Sequence, residues 1–151
     1  MNVGPFVARN AESRERLRMA VSRLRDADYG RPIGHGWTVG AALAHIAYWD
    51  GVTRDRLLGW EKAGPSGVRP PQLIADSVND AMLPTWLVAP PNEIAAEVIA
   101  AAEAVDGIIA RLSPELVEAI RAVSPRSVDR SPHREDHLAE VDRALSEPGN
   151  G

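Results

Sequence analysis

From Ile94 to Leu112 the apolar residues fall alternately four and three apart, as Ile94, Val98, Ala101, Val105, Ile108 and Leu112. That spacing keeps one stripe of an α-helix apolar. A lone striped helix is marginal in water, so the seam needs partner helices to cover it. The chain supplies them. Leu17, Ala20, Val21 and Leu24 form a stripe within a first helix expected from about Ala11 to Ala27. Thr38 is placed to cap a second helix running to about Trp60, because its hydroxyl can accept from an early backbone N–H. The first half of that helix (Val39, Ala41, Ala42, Leu43, Ala44, Ile46, Ala47) is apolar on nearly every side, as in a helix enclosed by others. Its alanines let neighbours come close.

Glycine and proline mark the boundaries. YGRPIGHGW, from Tyr29 to Trp37, reads as a glycine-rich turn, and GPSGVRPP, from Gly64 to Pro71, as a linker. A short helix is expected over Gln72 to Leu83, stopped by Pro84 and the Pro90–Pro91 pair. Ser113-Pro114-Glu115 restarts a short helix, and Ser131-Pro132 opens the last, from Pro132 to about Leu145, since proline suits the first helical position. The tail EPGNG is expected to fray. Strand signals are almost absent, and no internal repeat is present. The expected fold is all-α: a four-helix bundle with a long crossover after the second helix, residues 1–151 forming one domain.

Composition narrows the function classes. A net charge of −4 gives no electrostatic case for a nucleic-acid partner. The absence of cysteine excludes disulfides, thiolate ligands and a cysteine nucleophile. The amino terminus lacks the apolar core of a signal peptide, and no apolar run has the ~18–20 residues that span a membrane. A cytoplasmic location is the expectation. Sixteen arginines to a single lysine, with many alanines, suggest the codon usage of a GC-rich bacterial genome.

Chemistry enters with the histidines. His133 and His137 stand i, i+4 on the last helix, hence on one face, with Val141 and Ala144 continuing their arc. His45 sits among alanines and aromatics in the second helix. Three imidazoles from two facing helices could hold a metal ion and leave a position open for water or substrate, as catalytic sites do. The alternative is that they are core histidines satisfied by hydrogen bonds. The order His133-Arg-Glu-Asp-His137 is not that of a zinc protease, because no glutamate follows the first histidine. Glu140 shares the histidine face and could orient an imidazole or act as a general base; a solvated boundary role also suits it. Asn79 could hydrogen-bond substrate or bound water, or simply cap or decorate its helix. Arg134 could bind a carboxylate. Trp37, Tyr48, Trp49 and Trp86 are expected in the core, with Trp49 the one placed to line a pocket, and His35 is read as a loop residue.

Three segments carry a family resemblance. GWTVGAALAHIAYWD (Gly36 to Asp50) resembles the second-helix signature of the DinB-like superfamily, a tryptophan and a Ser/Thr followed by a buried histidine. PHREDHLAEVDRAL (Pro132 to Leu145) is similar to that superfamily's last helix with its H-x-x-x-H. DSVNDAM (Asp76 to Met82) is similar to a stretch that carries an asparagine in many members. The resemblance implies a four-helix bundle with a divalent metal held by His45, His133 and His137. It also implies kinship with thiol-dependent S-transferases, with the metal domain of mycothiol-dependent maleylpyruvate isomerases and with YfiT-like hydrolases, and members often form homodimers.

The leading expectation is a metal-dependent enzyme, with zinc or nickel, acting on a small molecule by thiol S-transfer or hydrolysis. Such a site lowers the pKa of water or a thiol and polarises an electrophile. Without a protein cysteine, the thiol must be a low-molecular-weight cosubstrate of the mycothiol type. The rival is a non-enzymatic metal-binding stress or resistance protein that sequesters a small ligand. A fourth protein ligand such as Glu140 would favour the rival; an open position beside a pocket would favour the enzyme.

Overall fold

A computed structural model describes residues 4–148, so part of the tail expected to fray, residues 149–151, lies outside the described residues. Six α-helices carry the chain: α1 (Pro5–Arg23), α2 (Val39–Ala63), α3 (Ala75–Val88), α4 (Pro91–Arg111), α5 (Pro114–Val123) and α6 (Ser131–Ser146). Prolines occupy the first turns of α1, α4, α5 and α6, where the missing N–H costs nothing. Thr38 Oγ1 accepts from Ala41 N at 3.1 Å and Ser113 Oγ from Leu116 N at 3.3 Å, capping α2 and α5.

Three boundaries differ from those read in the sequence. α1 begins at Pro5 and ends at Arg23, because Asp26–Gly30 winds into a separate 3-10 turn whose Asp28 carboxylate accepts from Arg25 N at 2.9 Å. α3 starts later than Gln72 and runs through Pro84 to Val88. Pro84 and Asp80, whose carbonyl loses its partner there, both lie at the exposed surface, where water replaces the bond. Buried Trp86 anchors the turn that follows. The glycine-rich turn contains a small antiparallel hairpin, β1 (Pro32–Gly34) and β2 (Trp37–Thr38), with Pro32 opposite Thr38 and Gly34 opposite Trp37. Its loop carries three successive positive φ angles, at Gly34 (108°), His35 (53°) and Gly36 (81°). Two of the three are glycines, which adopt that conformation without a Cβ penalty.

α1 packs on α4 and α6, and α2 packs on the same two, which closes a four-helix ring in the order α1–α4–α2–α6. α3 leans on α2 within the long connection between α2 and α4. Two apolar clusters fill the ring. One gathers Leu17, Leu43, Ile46, Val98 and Val141; the other Leu57, Val105, Ile109, Leu112 and Ile120. Each fully buried side chain of that size contributes about 1.5–3 kcal/mol. Beside the clusters lies a buried polar layer of Asn10, Ser13, Asp50, Asp106, Arg130 and Arg134.

Candidate metal centre

His45 comes from the second turn of α2, and His133 and His137 come from the first two turns of α6. The Nε2 atoms of His45 and His133 lie 3.0 Å apart. The His137 ring centroid is 4.5 Å from that of His45 and 4.8 Å from that of His133. One nitrogen from each imidazole falls within 4.8 Å of the other two. Two nitrogens bound at ~2.0–2.1 Å by a tetrahedral ion stand about 3.3 Å apart, close to the separation found. Two buried Nε2 atoms facing each other can share only one proton as neutral rings. The Nδ1 atoms of His45 and His133 are buried without a hydrogen-bond partner among the described residues. Unsatisfied buried nitrogens weigh against the reading as satisfied core histidines, and it is the facing Nε2 atoms that fit a ligand set.

The environment holds the His45 and His133 rings neutral. Burial, reinforced by His137 and Arg130, lowers the pKa of His45 to about 3, with the nearby Asn79 amide partly opposing the fall. Burial also lowers His133, to about 2, with Arg130, His137, His45 and Arg126 adding charge repulsion. A neutral imidazole offers its lone pair without first losing a proton.

The triad opens onto a cavity of about 450 Å³ whose wall includes Trp49, Asn79, Glu140, Trp37 and His35. Asn79 and Glu140 thus line the same cavity as the histidines. Trp49 Nε1 donates to Asn79 Oδ1 at 2.8 Å, which fixes the amide and leaves its NH2 as the remaining donor. Glu140 Oε2 lies 3.2 Å from His137 Nδ1, so this carboxylate engages an imidazole edge. The aromatic residues divide. Trp86 is buried and meets the His45 ring edge-on at 5.2 Å, while half-buried Trp37 and Trp49 line the cavity instead of filling the core. Tyr48 is also half-buried and packs against Trp49 and Trp86. His35 is exposed at the cavity margin, in the loop where it was expected.

Arg134 does bind carboxylates, but they belong to the protein. Fully buried, it donates from Nε to Asp50 at 3.0 Å and from NH2 to Asp106 at 2.8 Å. Burial disfavours its charge, yet Asp50 and Asp106 outweigh that and raise its pKa. Arg130 donates to the other Asp50 oxygen at 2.8 Å, and Asn10 Oδ1 accepts from Arg130 N at 2.7 Å. This network ties α1, α2 and α4 to the start of α6 and so sets where His133 and His137 project. Sequence reading missed Asp50, Asp106 and Arg130. The signal was present: Asp50 lies four residues after Ile46 and seven after Leu43, a charge on a buried stripe. Arg56 and Arg126, which also line the cavity, left no such trace.

A family profile described as the DinB superfamily matches residues 9–143. The chain belongs to the DinB superfamily. That superfamily includes metal-binding enzymes, and the three histidines here could hold such an ion. No curated protein and no solved structure matches the chain. DinB-like proteins act on small molecules, and no described helix is long and apolar enough to cross a membrane.

Proposed function

We propose that the chain, as a single domain over residues 1–151, is a divalent-metal-dependent enzyme of the cytoplasm acting on a small molecule. Its reaction is thiol S-transfer with a low-molecular-weight cosubstrate of the mycothiol type, or hydrolysis; both need a nucleophile activated near neutral pH. The observation that carries this reading is the convergence of three imidazoles at the wall of an open cavity. His45, His133 and His137 would hold the ion, zinc or nickel by the chemistry of imidazole donors. When bound, the ion supplies Lewis acidity, lowering the pKa of a thiol or water and polarising the electrophile.

The chain's own groups do the rest. Glu140 holds a proton at His137 Nδ1 and fixes the ring orientation, and its free oxygen can accept the proton shed by the nucleophile. Asn79, locked by Trp49, directs its NH2 toward charge that develops on the substrate. Trp37 and Trp49 exclude water from one side of the cavity. The carboxylate of Glu140 lies against His137 rather than within the group of converging donors, which supports an enzyme over a closed binding site.

The test begins with elemental analysis of protein purified without chelator, expected to find about one equivalent of divalent metal. Thiol–electrophile pairs and small esters are then assayed with Asn79→Ala and Glu140→Gln. Each variant should keep its metal and lose roughly 10²-fold in kcat. Less than about a tenth of an equivalent of metal, or variants as active as the parent, would overturn the proposal. Full metal content with no turnover in any assay would move the function to sequestration.

A further inference from the structure

We infer that Arg56, Arg126 and Arg130 form an oxyanion site in the same cavity, which receives a carboxylate or phosphate group of the substrate. The inference rests on the cavity being the substrate site and adds the class of substrate it takes. The three side chains reach the cavity from different elements: Arg56 from α2, Arg126 from the 3-10 turn Pro125–Ser127, and Arg130 from the residue preceding α6. Among the lining side chains Glu140 is the one carboxylate, and it lies against His137. A chain with a net charge of −4 thus gathers three guanidinium groups around one cavity.

Their partners do not neutralise them. Arg56 is half-buried, reaches only Ser127 Oγ at 3.5 Å, and lies 5.9 Å from the centre of the Trp60 ring. Among the described residues the Arg56 side chain donates to Ser127 Oγ, and the Arg126 carbonyl accepts from Arg130. Arg130 is buried and shares Asp50 with Arg134, while Asp106 is shared by Arg134 and Arg14, so two carboxylates serve three guanidinium groups. Burial and the nearby charge of Arg130 both push the pKa of Arg56 down, the signature of a cation lacking its counter-ion. Desolvated cations are normally paired, because desolvation is costly; Arg130 is buried and Arg56 half-buried, whereas Arg126 is exposed. An incoming oxyanion would satisfy them, and a guanidinium fork matches its geometry.

The shape selects a small anion. A cavity of about 450 Å³ suits a metabolite-sized molecule, and a net charge of −4 gives no electrostatic case for a nucleic-acid backbone. With its anionic group held by the arginines, the substrate would present another part of itself to the three histidines.

The test measures binding, not turnover. Metal-stripped protein freed of chelator is titrated with inorganic phosphate and with acetate, followed by tryptophan fluorescence and calorimetry. Working without metal keeps the ion itself from capturing the anion. The parent protein should bind at least one probe, and the Arg56→Gln, Arg126→Gln double variant should bind it about tenfold or more weakly. Arg126→Lys should recover part of the loss. Tighter binding of phosphate marks a phosphate-bearing substrate, and tighter binding of acetate a carboxylate. Circular dichroism checks the fold, and zinc titration of the same double variant should still find one equivalent. Failure of zinc to bind either protein would sink the metal reading without touching the anion result. A parent that binds neither anion, or a double variant that binds as the parent does, would overturn the inference.

Discussion

His137 separates two roles that one histidine could play, ligand or packing residue. Its Nδ1 edge is engaged by Glu140 and its ring packs against both other histidines. His137→Ala should abolish metal uptake and lower the melting temperature of the metal-loaded protein, while the stripped forms differ much less. A metal bound only to the native state adds about 2.7 kcal/mol at a hundredfold excess over its Kd. Equal destabilisation with and without chelator would make His137 a packing residue. Arg134 poses the opposite case, since nothing about it requires a ligand. Removing it leaves Asp50 and Asp106 buried with fewer partners. Arg134→Ala should therefore cost about 3–5 kcal/mol in urea unfolding. A loss below ~1 kcal/mol would show that water or Arg130 takes over its role.

Among the elements, those with a strong period were legible and those set by tertiary context were not. The seam from Ile94 to Leu112 and the proline starts of α5 and α6 appear in the structure essentially as spaced in the sequence. Pro84 misled, because proline ends a helix only where the lost hydrogen bond cannot be replaced, and at this exposed turn it can. The hairpin was invisible for the reverse reason: five strand residues, one of them glycine, carry no strand pattern, and its register is set by the loop. The histidines were legible because i, i+4 spacing is a local fact. The arginine wall was not, since Arg56 and Arg126 meet only through the fold, seventy positions apart. The alanines of α2 test the packing claim directly. Ala42 is fully buried in the cluster that α2 shares with α4. Ala42→Leu should force the helices apart and cost about 1–3 kcal/mol by chemical denaturation. A neutral result would mean that the interface has slack.

At the scale of the whole molecule, folding commits the chain to burying groups that prefer to be charged, and acid should expose that commitment. The native pKa values of His45 and His133 fall to about 3 and about 2, against about 6.5 in an unfolded chain. Between those limits the unfolded state binds protons that the native state refuses. Stability therefore rises with pH across this window and is lost as pH drops below ~6.5. Above it both rings are neutral in either state, and these two groups add no further slope. Carboxylates paired in the native state contribute a similar loss, but near their ordinary range of about 3.9–4.3 and below. The interval from about pH 6.5 to 5 thus belongs mainly to the histidines. In metal-stripped protein the urea midpoint should decline steadily from pH 7 to pH 5. In a His45→Leu, His133→Leu double variant the same series should be nearly flat, whatever its starting stability. Bound metal should steepen the parent's decline, since protons and the ion compete for the same lone pairs. If the stripped parent and the double variant fall with one slope, the proton-refusing groups lie elsewhere in the fold.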